Sequence, residues 1–310
     1  MVLLFSQPLK RSFQAPLCSC STLFCFFFFM VAIILPFFIA FSTHNFWKKR
    51  EVYFEQPKVL YRQELIIQVT SSTTLVSDST LSLTQTSAFY STIGELNDLY
   101  YEELSPVIIK SSTLNTNFDD YPEEFNFNIT LYTASEDIRN VKILSFFDYQ
   151  IRKVIKMDII GMAYIDVNTP LGAGSVTVDG TLNFKQRMPL KPSTTVRDEY
   201  NTSLISKNSG LFNYIPSVLY RNNDRNFTTE YKYNAWVSPR GQKYCRISVK
   251  LRVPTNEQFE YSPTFLEVMK FGWIQYQSIL IPFALLFFAF ASFVYTNQIL
   301  EARVSNESKG

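Results

Sequence analysis

The sequence predicts a membrane protein in which two transmembrane α-helices flank a mainly-β, antiparallel sandwich-like domain that is extracellular or lumenal. Three observations lead there. Two long stretches near the chain ends carry no Lys, Arg, Asp or Glu, and several segments between them alternate apolar and polar residues with period two. Of 310 residues 46% are hydrophobic and only 18% charged, below the roughly 25% of an average soluble domain.

The first charge-free gap lies between Arg11 and Lys48, with an apolar centre at residues 23–41 in which 26–29 are all phenylalanine. The second lies between Lys270 and Glu301, centred on 279–295. About 20 helical residues rising roughly 1.5 Å each cross a hydrocarbon core of about 30 Å. Lipid offers no partner to a backbone amide, so both runs must be helical. Pro36 and Pro282 should kink these helices rather than end them. Trp47 with Lys48, Lys49 and Arg50, and Trp273 with Tyr276, mark the water borders. A core helix of a soluble protein is shorter, nearer 11–12 residues. The first run also exceeds the 7–15 apolar residues of a cleaved signal peptide, contains Pro36, and has no small-x-small site before His44, so an uncleaved signal anchor is expected.

The expected order is a cytoplasmic tail (1–22), a first span (23–43), an exterior β-rich domain (44–270), a second span (271–297) and a cytoplasmic tail (298–310). Two spans put both termini on one side. The basic residues flanking the first span do not favour an exterior middle, but that rule weakens for long translocated domains. Three glycosylation sequons, at Asn128, Asn201 and Asn226, favour it. A fourth, at Asn306 in the short tail, shows how readily such triplets arise by chance.

In the middle domain Phe125, Phe127, Ile129 and Leu131 oppose Asn126, Asn128 and Thr130. Val176, Val178, Leu182 and Phe184 oppose Thr177, Asp179 and Asn183, and Cys245, Ile247, Val249, Leu251 and Val253 oppose Arg246, Ser248 and Lys250. Such alternation fits antiparallel sheets with one wet face. Residues 59–69 and 154–165 read as further strands, the latter more fully buried. Residues 70–92 hold 14 Ser or Thr in 23 positions and read as a flexible insertion. Residues 95–137 hold ten acids and one base, Lys110, whereas 138–253 hold eighteen bases and eight acids, a separation consistent with an ordinary exposed surface or with complementary faces. Ser262 and Pro263 read as an N-cap and first-turn proline of a helix that runs on into the second span.

The chemistry is sparse. A net charge of +2 offers no basic surplus for nucleic acid, and the single histidine, His44, excludes most histidine-based catalysis and metal binding. Of four cysteines only Cys245 lies in the middle domain, so no disulfide can form within it. Cys18 and Cys20 precede the first span, where reversible palmitoylation is possible and unmodified thiols equally so. Asp119, Asp120, Glu123 and Glu124 lack a calcium-loop pattern and read as a solvated acidic loop. No P-loop, GxGxxG or GxSxG occurs. No catalytic residue, cofactor, metal or small-molecule substrate is expected.

Four segments carry a family resemblance: FSQPLKRSFQAPLCS at 5–19, HNFWKKREVYFEQP at 44–57, VTVDGTLNFKQRMPL at 176–190 and FLEVMKFGWIQYQSIL at 265–280. Together they resemble the transmembrane protein 231 family, constituents of the ciliary transition zone in the Meckel syndrome or B9 complex with the tectonics. The resemblance implies a structural glycoprotein of the ciliary membrane, required for ciliogenesis and for the diffusion barrier between cilium and plasma membrane. It implies transition-zone membrane and B9-domain proteins (a tectonic-like complex) and membrane lipids as partners. The family supplies no catalytic residues. Two rival classes share the layout: an accessory subunit of a lipid flippase, and a two-span ligand- or proton-gated channel subunit. The second usually has a disulfide-rich exterior and ionisable pore residues, which these spans lack. A lumenal hydrolase would need an activated nucleophile that is not evident.

Overall fold

A computed structural model describes residues 11–16, 19–43, 46–77, 80–132, 138–170, 172–205, 214–238 and 244–306. In chain order the elements are β1 (Arg11–Gln14), α1 (Cys20–Ser42), β2 (Glu51–Glu55), β3 (Lys58–Ser77), β4 (Thr80–Ser91), α2 (Gly94–Leu99), a 3₁₀ turn (Tyr101–Glu103), β5 (Val107–Leu114) and β6 (Glu124–Tyr132). There follow β7 (Ile138–Ile151), β8 (Met157–Asn168), β9 (Ser175–Gln186), α3 (Tyr214–Asn223), β10 (Phe227–Ser238), β11 (Tyr244–Arg252), β12 (Glu257–Tyr261), α4 (Phe265–Thr296) and β13 (Arg303–Asn306). Two compact units result, Arg50–Ser262 and the terminal segments Met1–Lys49 with Pro263–Gly310.

The Arg50–Ser262 unit is built on two large sheets, ordered β10-β9-β11-β6-β5 and β4-β3-β7-β8, with β2 and β12 pairing as a small third. Period-two alternation becomes burial: Phe125, Phe127, Ile129 and Leu131 of β6, Val176, Val178 and Leu182 of β9, and Cys245, Ile247, Val249 and Leu251 of β11 all lie in one core. Rings from opposite sheets interlock there, Tyr61 with Phe127 (centroids 4.9 Å), Phe125 with Phe147 (5.3 Å) and Tyr149 with Phe184 (5.7 Å). The outer face of the five-stranded sheet is wet and carries cross-strand ion pairs, Lys250–Glu124, Arg252–Asp179 and Lys185–Glu230.

The four-stranded sheet is covered on both faces. Its second face buries Ile66, Leu144, Phe146, Ile160 and Met162 under Leu96 of α2, Leu204, and Tyr214, Ile215 and Val218 of α3. Double burial explains why β7 and β8 read as nearly unbroken apolar runs. The short helices α2 and α3, unassigned in the sequence reading, supply this third layer.

Three further features depart from expectation. β9 and β11 run parallel, so the larger sheet is mixed: β10 pairs with the other side of β9, and the chain steps across β9 to reach β11. Within 70–92, expected as a flexible insertion, residues 70–77 continue β3 and 80–91 form β4, in register from Ile66–Ser91 to Ser77–Thr80. β-branched Thr and interspersed Leu and Val favour extended backbone, and the ladder satisfies amides that the serine-rich composition had suggested were solvated. The last helix is capped by Thr264, not Ser262: its N–H is taken by the Glu267 carboxylate (2.9 Å), which leaves Pro263 just outside the helix.

One side of the sandwich is closed by side chains. The exposed edge of β8 meets β10, whose Thr229 hydroxyl accepts from Met162 N–H (2.7 Å) and donates to Met162 C=O (3.0 Å). Two turns of the pleat away, the Tyr233 hydroxyl does the same for both backbone groups of Asp166 (2.8 Å each). Nearer the start of the strand, Asp158 and Ile160 donate N–H to the carbonyls of Arg197 and Tyr200, and the Arg225 guanidinium donates to Ile160 C=O. Gly161 permits the approach, since a Cβ there would meet Thr229 Oγ1 at 2.6 Å. At Gly180 a Cβ would strike the backbone of β10, the Lys232 carbonyl and Tyr233 Cα.

Thr229→Val should leave both Met162 backbone groups unpaired in a buried seam and cost about 1–3 kcal/mol, read as a lower denaturant midpoint of the purified chain. Gly180→Ala should cost more than Gly161→Ala, because strand backbone yields less readily than a threonine side chain. A pH test addresses Glu257. Burial raises its carboxyl above the ordinary 4.5, against the Phe184 N–H and Lys232, which favour the anion. Ionising it therefore costs stability: the contribution of the protonated form is fully present below 4.5 and is lost as the pH rises through the raised value. Glu257→Gln should raise the denaturant midpoint at pH 7, and the gain should shrink as the pH falls towards 4.

Candidate functional site: the paired apolar helices

The terminal unit is an antiparallel pair of helices. Ser19 caps α1, its hydroxyl oxygen accepting Thr22 N–H (3.3 Å), while Ser42 and Thr43 return hydroxyl protons to the Ile39 and Ala40 carbonyls at the other end. These caps set α1 at Cys20–Ser42, three residues earlier than the expected start. α4 spans 32 residues and passes unbroken through Gly272 and Pro282, as α1 passes through Pro36.

Between the helices phenylalanines interdigitate. Phe28 lies against Phe287 edge-on (4.6 Å) and stacks on Phe290 (5.0 Å). Two tyrosine hydroxyls tie the pair, Tyr276 donating to Ile33 C=O and Tyr295 to Ser21 C=O (3.3 Å each). The hydroxyl of Ser278 donates to Gln275 of its own helix, and Ser292 and Thr296 are exposed. Tyr276, expected as a border residue, thus also bonds across the pair, and Tyr295, not singled out from the sequence, does so near the other end of α4. At one end β1 pairs with β13, and Phe13 lies against Tyr295, so the described segments before α1 and after α4 lie side by side. At the other, Phe37, Phe41, Trp47, Met269, Trp273 and Tyr276 help to line an open groove of about 410 Å³, and Lys48 Nζ sits 4.1 Å from the centre of the Phe271 ring.

The outward face decides what surrounds this pair. Phe26, Phe27, Phe29 and Phe288 are 62–79% exposed, which water would penalise and hydrocarbon would not. Both helices are long and apolar enough to cross a bilayer.

The sequence matches the family described as Transmembrane protein 231 over residues 1–304. The chain belongs to that family. Relatives named Transmembrane protein 231 include the Xenopus tropicalis protein, 29% identical over 96% of this chain and 93% of its own length, and the human protein, 28% identical over 96% and 92%. A proton-activated chloride channel solved by cryo-EM overlays 89% of this chain and 97% of its own at 9% identity, with a TM-score of only 0.29, too low to establish a shared fold. As a member of the transmembrane protein 231 family, the chain is a membrane protein with two candidate spans flanking a mainly antiparallel β domain.

The remaining candidate residues are scattered. Asn128 is exposed on the wet face of β6, accepting from the Ser248 hydroxyl (3.0 Å). Asn201 and Asn226 are exposed on adjoining segments, the Asn226 N–H reaching the Tyr200 hydroxyl (3.5 Å). Cys20 is exposed at the first turn of α1; Cys18 and His44 lie outside the described residues. In the acidic loop Glu123 accepts from Thr116 and Asn117, while Glu124 pairs with Lys250 (2.8 Å). Among the described residues no cluster of three His, Cys, Asp or Glu is arranged for a metal.

Cys245 is fully buried, and burial pushes its thiol up to about 12. Alkylation of the detergent-solubilised protein at pH 8, mapped by mass spectrometry, should modify Cys20 at the start of α1 and spare Cys245 until denaturant is added.

Proposed function

We propose that this protein is a non-enzymatic structural constituent of the ciliary membrane at the transition zone, supporting cilium assembly and the barrier that controls ciliary membrane protein composition. Family membership across residues 1–304 carries the reading. In this proposal both termini are cytoplasmic, the β domain faces outward bearing glycans on Asn128, Asn201 and Asn226, and the partners are transition-zone membrane and B9-domain proteins of a tectonic-like complex.

Physical observations support such a role. The helix pair is held together by packed rings and two hydroxyl bonds, and it leaves aromatic surface for neighbouring helices. Many polar side chains of the β domain serve the fold itself: Glu55 accepts the backbone N–H groups of Arg152 and Lys153, and Arg62 bridges Glu64 and Asp148. A body organised in this way acts by being positioned beside partners.

A tagged chain imaged against basal-body and axoneme markers should form a ring at the cilium base; diffuse plasma-membrane or reticular signal would sink the proposal. Treatment with an N-glycosidase should increase its gel mobility, and replacing Asn128, Asn201 and Asn226 together by Gln should abolish that shift.

A further inference from the structure

The two sides of the sandwich are finished differently. On the β8/β10 side, backbone groups of alternate β8 residues are taken up by neighbouring segments and by the hydroxyls of Thr229 and Tyr233. On the other side β5 is the last strand of its sheet. Tyr132 N–H donates to Pro106 C=O and Glu123 N–H to Leu114 C=O, so the even-numbered residues of this antiparallel ladder turn their backbone groups towards β6. Val107, Ile109, Ser111 and Thr113 therefore turn theirs to the free side, where no described residue bonds to them.

We propose that β5 is a docking edge that takes up an extended segment of a partner protein as an additional antiparallel strand, the segment being basic and apolar in alternation. Three observations define that occupant. The free edge is eight residues long, enough for a ladder of main-chain bonds. Apolar side chains stand exposed along and beside it: Leu104 (47%), Ile108 (50%), Leu114 (50%) and Phe118 (92%). Acids bracket it, Glu102 and Glu103 before the strand and Asp119 and Asp120 after it, with Lys110 the one base between. The same bracketing disfavours a second copy of this chain, because antiparallel pairing of β5 with itself would bring the acidic start of one strand to the acidic end of the other. Natural sheets blunt such edges with charge or cover them. Here Lys110 alone blunts the strand, and its cover is assigned to a partner. The inference goes beyond the proposed location, since it specifies the kind of partner and does not require the cilium.

The test uses the full chain in nanodiscs of zwitterionic lipid and a ten-residue peptide alternating lysine and valine, with hydrogen exchange read by mass spectrometry. The peptide should slow exchange across 107–114. An analogue N-methylated at alternate residues, unable to complete the ladder, should not, and neither should one alternating glutamate and valine. Ser111→Pro removes one donor from the free side without touching the β6 ladder and should abolish the protection. Glu102→Lys with Asp120→Lys, both exposed, should weaken binding about two- to five-fold per reversed charge, and the loss should shrink in high salt. Protection elsewhere, equal protection by the glutamate or N-methylated peptide, or protection of 107–114 that rises with the concentration of the chain alone would each overturn the proposal. Failure of the imaging test in the preceding section would leave this result standing, so the two readings fail separately.

Discussion

A backbone amide that leaves water must find another partner, and this demand shapes both units of the chain. In the terminal unit the partners lie within each helix, because hydrocarbon offers none. In the β domain the ladders do most of the work, and at the edge of β8 side chains finish it: one threonine and one tyrosine each satisfy both the N–H and the C=O of a single residue. A hydroxyl suits this task because it donates and accepts at the same atom. The seam also dictates composition nearby, requiring Gly161 opposite Thr229.

That economy explains why the interior is so aromatic. With few glycines and no disulfide available within the domain, cohesion rests on large rings meeting across the sheets and on a second apolar layer under α2 and α3. The anchor uses the same material: Phe28 between Phe287 and Phe290 replaces the small-residue contacts that commonly bring membrane helices together.

Much of this was legible from the residues. β6, β9 and β11 each have one wet face, so their alternation translated directly into buried and exposed positions, and the lengths of the two apolar runs announced the helices. What escaped reading depends on contacts distant in sequence. The serine-rich composition masks the strand preference of the threonines there, and the pairing of β4 with β3 fixes the ladder. α2 and α3 are 6 and 10 residues long, too short for periodicity to speak. The parallel register of β9 and β11 comes from how the chain crosses between them. Thr264 and Ser262 are both plausible caps, and the position of Glu267 three residues on decides between them. In the anchor, the apolar surface was evident but the bonds of Tyr276 and Tyr295 to carbonyls on the opposing helix were not, since nothing local specifies which backbone group a tyrosine will reach.

The pairing of β1 with β13 carries an implication for biogenesis. Helix α1 precedes the whole β domain and α4 follows it, so the Phe28 contacts and the β1–β13 ladder form only after the β domain has been synthesised. Until then the first helix must sit in the bilayer without its companion, its ring-lined flank open to other occupants of the membrane. Quality control acting during synthesis would meet that half-built form, and a chain truncated before α4 would never leave it.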